Sequence, residues 1–163
     1  MHFPLSSPGA IALGPSPLGP AWLRLETAAA AVGEARRFTA AQLTECDPGF
    51  IEDAELVTSE LITNAVNYAL AHDGPSRLVV PGIWLGVQLG HRFGHVRVRD
   101  PYPVLPVRRA AADTDTGGRG LLIVEMLTAA YWVDSRTFDK TVHAVVAKPG
   151  IVLTEAELAG MRS

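Results

Sequence analysis

Apolar side chains recur every three or four residues along residues 50–70, at Ile51, Ala54, Leu61, Ile62, Ala65 and Ala69. This spacing is typical of an amphipathic helix whose apolar stripe packs on a core. Asp47 and Pro48 suit the N-cap and the first helical position, and Gly74 and Pro75 follow as a stop signal. The pattern predicts one long helix around which the chain is arranged.

Segments in which apolar and polar residues alternate predict β-strands, at residues 21–26, 83–89, 96–99, 131–134 and 140–147. Residues 90–94 separate the second strand from the third, which predicts a hairpin with a five-residue turn. In the last strand, Val142, Ala144 and Val146 are expected on one face of the sheet. Thr141, His143 and Val145 alternate with them and are expected on the other face.

Three further segments predict helices. Residues 27–43 are rich in alanine, and residues 120–130 are apolar almost all round, so the second of these helices is expected to be buried. The tail at 154–161 begins with Thr154 as N-cap and Glu157 at the capping-box position. The order of elements predicts an α+β fold, a two-layer sandwich in which helices cover one face of a mixed, mostly antiparallel sheet.

Composition bounds the class of protein. Hydrophobic residues make up 48% of the 163-residue chain, charged residues 19%, and the net charge is −3, which indicates one globular domain without a basic surface for nucleic acid. Proline and glycine dominate residues 1–20, which are expected to form an extended arm before a domain at 21–148 and a tail at 149–163. No membrane span or secretory signal is recognisable, so a cytoplasmic protein is expected.

Three features are candidates for chemistry. Glu60 and Asn64 lie four residues apart on the long helix, so they share a face at the edge of the core, where they could bind a metal and polarise a hydroxyl. Asp100 ends a strand. The third feature is the glycine cluster at 117–120, which opens a helix as a phosphate site would and includes the cation Arg119.

In this order and spacing, the three features resemble the GHKL ATPase superfamily, and most of all its anti-sigma-factor serine kinases, over residues 21–147. The segment ELVTSELITNAVNYA is similar to the family's N box. The resemblance implies a Bergerat-type ATP-binding fold, with ATP and Mg²⁺ as cofactors. It also implies phosphoryl transfer to a serine or threonine of a small antagonist protein, and sequestration of a sigma factor. It favours a homodimer.

The resemblance also implies roles for particular residues. Glu60 would be the general base, Asn64 the Mg²⁺ ligand, and Asp100 the partner of the adenine amino group. Two positions of the second glycine box would close over the phosphates, at Gly118 and Gly120. Thr141 would support adenine recognition, and the aperiodic segment between Asp100 and Gly118 would be the ATP lid.

One departure leaves a second reading open. The family's first glycine box reads Asp-x-Gly-x-Gly, but here Asp100 is followed by Pro101, Tyr102, Pro103 and Val104, so both glycines are missing. Proline removes backbone donors, and the absent glycines restrict close approach to a nucleotide. The alternative to a kinase is therefore an inactive module of the same fold that sequesters a regulatory partner without phosphotransfer.

Overall fold

Strands and helices alternate in blocks in the computed structural model, which describes residues 12–13, 19–72, 82–101 and 119–163. The strands of this described part are β1 Ala12–Leu13, β2 Ala21–Leu25, β3 Ile83–Leu89, β4 Phe93–Asp100, β5 Ala130–Ser135 and β6 Lys140–Ala147. Its helices are α1 Ala30–Gln42, α2 Pro48–His72, α3 Arg119–Leu127 and α4 Glu155–Arg162.

The strands form one sheet in the order β1-β2-β3-β4-β6-β5. All its described neighbours pair antiparallel, so the sheet is more uniform than the mixed sheet expected. Helices α1, α2 and α3 supply buried residues to the core on one face, which confirms the predicted α+β sandwich. Strand β1 belongs to the predicted N-terminal arm and pairs with β2 at the sheet edge, while residues 1–11 and 14–18 lie outside the described residues.

Helix α2 is the central element, with 25 residues. Its start is fixed as predicted, because the Asp47 side chain accepts hydrogen bonds from the backbone N–H groups of Gly49 and Phe50 at 2.9 and 3.2 Å. Its fully buried Val57 and Ile62 belong to the same core cluster as the inward-facing residues of β3 and β4. Burial of each such side chain stabilises the fold by about 1.5–3 kcal/mol relative to exposure.

Alternation along β4 and β6 decides which side chains can reach a site beneath α2. Val96 and Val98 are buried in the core, and Asp100 shares their side of the strand. In β6 the core-facing set is Lys140, Val142, Ala144 and Val146, and the register pairs Asp100 with Lys140. The other face of the sheet, called here the outer face, carries the remaining residues of both strands.

Three predicted details were wrong. The connection between β3 and β4 is three residues, 90–92, because Phe93 and Gly94 already pair with β6. Helix α3 ends at Leu127 rather than at residue 130, because Ala130 pairs with Val145 in the sheet. Nor is α3 buried all round, since Met126 is 75% exposed.

The C-terminal helix α4 does not join the other helices. Thr154 and Glu157 form the predicted capping box, in which each side chain accepts a hydrogen bond from the other residue's backbone N–H. The guanidinium of Arg162 lies 5.3 Å from the ring centroid of Trp132, which is on the outer face. The helices therefore do not all cover one face, because α4 contacts the opposite one.

A chain of hydrogen bonds crosses the outer face. His143 Nε2 lies 2.9 Å from Asp134 Oδ2, and His143 Nδ1 lies 3.0 Å from His95 Nε2. A carboxylate only accepts, so neutral His143 donates from Nε2 and accepts at Nδ1 from His95. The pKa of His95 is lowered to about 3, first by burial and then by its electrostatic interactions with Arg97 and His143.

This chain predicts acid sensitivity. His95 is neutral in the folded state but gains a proton in the unfolded state below pH ~6.5, so stability falls as pH falls from there towards 3. The wild type should lose about 2 kcal/mol of unfolding free energy between pH 7 and pH 5 through this residue. Urea unfolding at both pH values tests this, and His95→Gln should lose correspondingly less. His91→Gln, at an exposed position, is the control and should lose as much unfolding free energy as the wild type. An equal loss in His95→Gln and the wild type would show that His95 is not the cause of the acid sensitivity.

Candidate functional site

Helix α2 presents a row of polar side chains beside its apolar stripe. Glu60, Asn64 and Tyr68 follow at intervals of four residues, and all three are half-buried. Neighbouring Leu61 and Ala65 are buried in the core, which holds this side of the helix against the sheet. The row therefore runs along the border between core and surface.

A cavity of about 30 Å³ lies between this row and the sheet. It is lined by Leu61, Asn64, Ala65, Tyr68, Val98, Asp100, Tyr131, Lys140 and Val142. Two predicted site residues, Asn64 and Asp100, thus meet in one cavity although they come from a helix and a strand end. Glu60 is not among the lining residues.

Glu60 lies instead one helical turn earlier, against the N-terminus of α3. A Cβ atom added at Gly120 would overlap with Glu60 Oε2, so the carboxylate sits close to the backbone where that helix begins. Burial raises the pKa of Glu60 above its ordinary value. A carboxylate with a raised pKa is a stronger base, and it is placed beside the backbone N–H groups that a helix N-terminus leaves without intrahelical partners.

At the far end of the cavity, Asp100 forms a buried ion pair. Lys140 Nζ donates to Asp100 Oδ1 at 3.1 Å, and the two side chains are 5% and 3% exposed. The same ammonium lies 5.0 Å from the ring centroid of Tyr68. The inner end of the cavity is therefore occupied by the protein's own cation.

Tyr131 adds a hydroxyl to the cavity wall. Its Oη is buried and has no hydrogen-bond partner among the described residues. Burial, with a smaller contribution from the charge of Glu125, raises the pKa of Tyr131 to about 12, so the hydroxyl stays protonated and can both donate and accept. A buried hydroxyl of this kind indicates a place for a water molecule or a ligand.

Thr141 does not lie where it was predicted. It pairs in register with Arg99 and Asp134 on the outer face, opposite the cavity. Side chains alternate along a strand, so a residue next to inward-facing Val142 points away from the core. The position beside Asp100 belongs to Lys140, and the role expected of Thr141 in adenine recognition is incompatible with this placement.

The remaining predicted site residues are placed only in part. Arg119 is exposed at the first position of α3, next to Gly120. Gly118 and the proposed lid at 102–117 lie outside the described residues. Within the described part of the chain, no three His, Cys, Asp or Glu side chains converge as a metal site, and none of the helices there is long and apolar enough to cross a membrane.

Three residues of the cavity were missed by the sequence reasoning: Tyr68, Tyr131 and Lys140. A signal for Lys140 was present, because it shares the inward parity of Val142 and Ala144, where a lysine needs a buried partner. Tyr68 was also accessible, since it continues the four-residue spacing of Glu60 and Asn64. Nothing local in the sequence indicates Tyr131, which reaches the cavity only through the pairing of β5 with β6.

A comparison with protein families bears on this arrangement. The model of the histidine kinase-like ATPase domain matches residues 22–146, which is most of the chain. The chain belongs to this family. The match spans β2 to β6 and so includes every described residue of the cavity and of the Glu60–Gly120 contact.

Solved structures also resemble this histidine kinase-like ATPase domain. One is the crystal structure of the RsbU and RsbW domains of Rv1364c from Mycobacterium tuberculosis, with a TM-score of 0.57 and 20% sequence identity. The similarity covers 86% of the present chain but 35% of that one, so the chain spans about a third of that structure's length. At this identity the likeness shows the fold. No curated protein matches the chain.

Proposed function

We propose that this protein is an ATP-binding regulator that phosphorylates a serine or threonine of a small antagonist protein and acts as an anti-sigma factor. One observation carries the proposal. Asn64 shares a cavity with Asp100, while Glu60, one turn away on the same helix, lies against the N-terminus of α3. A metal-binding amide, a base and a helix N-terminus are thereby brought to one edge of the sheet.

The phosphate end of this site fits Mg·ATP. Gly120 has no side chain, and the N-terminus of α3, where it lies, is the kind of helix end at which the first backbone N–H groups bind an anion. Arg119 is exposed beside them and offers a cation to the phosphates. The Asn64 side-chain oxygen is the kind of hard ligand that Mg²⁺ takes together with phosphate oxygens and water.

Bound Mg·ATP would supply the γ-phosphoryl group and neutralise its developing charge. Glu60 would accept the proton of the serine or threonine hydroxyl as that oxygen bonds to the γ-phosphorus, the bond to the β-phosphate oxygen breaks and ADP leaves. Asn64 would hold the metal, and Arg119 with the α3 N-terminus would orient the phosphates. Asp100 and Tyr131 would face the base, because both line the inner cavity.

The partners follow from the resemblance described for the N box and the glycine box. The antagonist provides the acceptor hydroxyl, and a sigma factor is the protein that is sequestered. A homodimer and a cytoplasmic location belong to the same proposal. The net charge of −3 agrees with action on proteins rather than directly on nucleic acid.

A second candidate function is favoured by the Asp100–Lys140 ion pair. Asp100 is already engaged by an ammonium, and the first glycine box is missing after it. If the ion pair and the missing glycine box together prevent nucleotide binding, the protein would sequester a regulatory partner protein without phosphotransfer. Nucleotide binding therefore separates the two functions.

Thermal unfolding with Mg·ATP tests the choice. A ligand that binds only the folded state at ~100 times its Kd adds about 2.7 kcal/mol, which should raise Tm by roughly 5–10 °C. Asn64→Ala should reduce this shift, since it removes a metal ligand. Asn67→Ala, on an exposed position of the same helix, should retain it. No shift in the wild type at millimolar Mg·ATP would overturn the proposal and leave the second candidate.

A further inference from the structure

We propose that Lys140 is an internal competitor for Asp100, so that a purine base gains this carboxylate only after the ammonium has left the cavity. The inference rests on the proposed function, since it concerns how tightly and how selectively the same site takes a nucleotide. It assigns to Lys140 the control of base recognition.

The first support is geometric. Lys140 lies directly opposite Asp100 in the β4–β6 register, and strand alternation places its side chain on the core side of the sheet with that of Val142. The lysine side chain is 5% exposed. An ammonium in such surroundings is kept by its pairing with the carboxylate, because an unpaired buried charge is very costly.

The second support is space. Asp100, the carboxylate that a base would contact, lines the cavity together with Lys140. Both Tyr68 and Lys140 line it, and the ammonium lies over the tyrosine ring. For a base to contact the Asp100 oxygen that Lys140 Nζ occupies, the lysine side chain must move, because the strand backbone that carries it is held between β4 and β5.

The third support is the strength of the competing contacts. Both donors would form a charge-assisted hydrogen bond with the Asp100 carboxylate, but the ammonium carries a full positive charge and adds charge–charge attraction, whereas the exocyclic amino group of adenine is neutral. The amino group therefore cannot displace Lys140 by its own contact with Asp100. The apparent affinity for ATP is lowered by the small fraction of molecules in which the lysine is withdrawn.

Removing the competitor should reveal base recognition. Lys140→Thr is expected to tighten Mg·ATP binding by roughly tenfold or more, the worth of a hydrogen bond to a charged group. Binding of Mg·ITP, which has a carbonyl oxygen where ATP has the amino group, should not tighten. Isothermal titration of both nucleotides measures this. Lys148→Thr is the control. Lys148 is the chain's other lysine, and it lies just beyond the end of β6, away from the cavity.

A second variant protects the test against misfolding. Lys140→Met keeps the length of the apolar stem and removes the ammonium, and it too should gain preference for ATP over ITP. Both variants are titrated below their own Tm, with folding checked by circular dichroism. Equal affinities of folded Lys140→Thr, folded Lys140→Met and the wild type for Mg·ATP would overturn the inference, as would an equal gain for Mg·ITP.

A further readout leaves Lys140 itself unchanged. Lysine labelled with ¹⁵N should show the buried Lys140 ammonium as a slowly exchanging signal, and Lys148→Arg assigns it. Saturating Mg·ATP should abolish this signal if the ammonium leaves, and a signal unchanged at saturation contradicts the inference. If neither the wild type nor either variant binds any nucleotide, the proposed function itself fails, which is a different result from equal binding by all.

Discussion

Glu60→Gln is expected to lower phosphoryl transfer by roughly 10²–10⁴-fold, which is the usual contribution of a positioned general base. Glutamine preserves the shape of the side chain and its packing against Gly120 but cannot accept the hydroxyl proton. Nucleotide affinity should change little, because Asn64, Asp100 and the start of α3 are untouched. Transfer of label from [γ-³²P]ATP to a purified antagonist protein measures the rate, and titration measures the affinity.

The pH dependence adds a signature to this prediction. Burial raises the pKa of Glu60, so the wild-type rate should rise with pH through a value above the ordinary 4.5 of glutamate. This limb should disappear in Glu60→Gln. Glu52→Gln, at an exposed position of the same helix, is the control and should keep both the rate and the limb. If Glu60→Gln transferred phosphate at the wild-type rate, Glu60 would not be the general base.

Asp100→Ala is expected to destabilise the fold by about 3–5 kcal/mol, the cost of removing one partner from a buried ion pair. The lysine ammonium that remains is 5% exposed and loses the carboxylate it contacts at 3.1 Å. Urea unfolding at pH 7 measures the change in the free energy of unfolding. For a domain of this size, such a loss is a large part of its total stability.

An exposed ion pair between β4 and the turn just before β6 provides the comparison. Asp139→Ala removes the carboxylate that contacts Arg99, whose side chain is 52% exposed, and should cost only about 0–1 kcal/mol. Combining Asp100→Ala with Lys140→Met should cost less than the sum of the single changes, because no charge is then left buried. Equal costs for Asp100→Ala and Asp139→Ala would show that the buried pair is not structural.

The sequence was sufficient for the fold because its signals are local and agree with one another. The apolar stripe, the Asp47 cap and the stop after His72 all predict the same helix, and α2 runs from Pro48 to His72. Element ends were less predictable where pairing decides them. From the local sequence alone, Phe93 is predicted in a turn and Ala130 in a helix. In the structure both belong to strands, because Phe93 pairs with Ala147 and Ala130 pairs with Val145.

The candidate site was predictable where helical spacing controls it and not where the sheet does. Glu60 and Asn64 follow from the four-residue spacing. Resemblance to a motif position predicts Thr141, although the alternation of Val142, Ala144 and Val146 places it on the other face. The position of a residue in the alternation along its strand predicts its face better than its residue type does, because a shift of one residue places the side chain on the opposite face of the sheet.

The outer face of the sheet has a practical consequence for spectroscopy. All three tryptophans of the chain lie there: Trp22 stacked over Gly86, Trp84 in register with Arg24 and Arg99, and Trp132 stacked on His143. None of them lines the cavity. Emission excited selectively from tryptophan therefore reports on the outer face, and that of Trp132 on His143 and Arg162, rather than on the cavity. A fluorescent nucleotide analogue, excited beyond the protein's absorption, is the matching probe for the opposite side of the sheet.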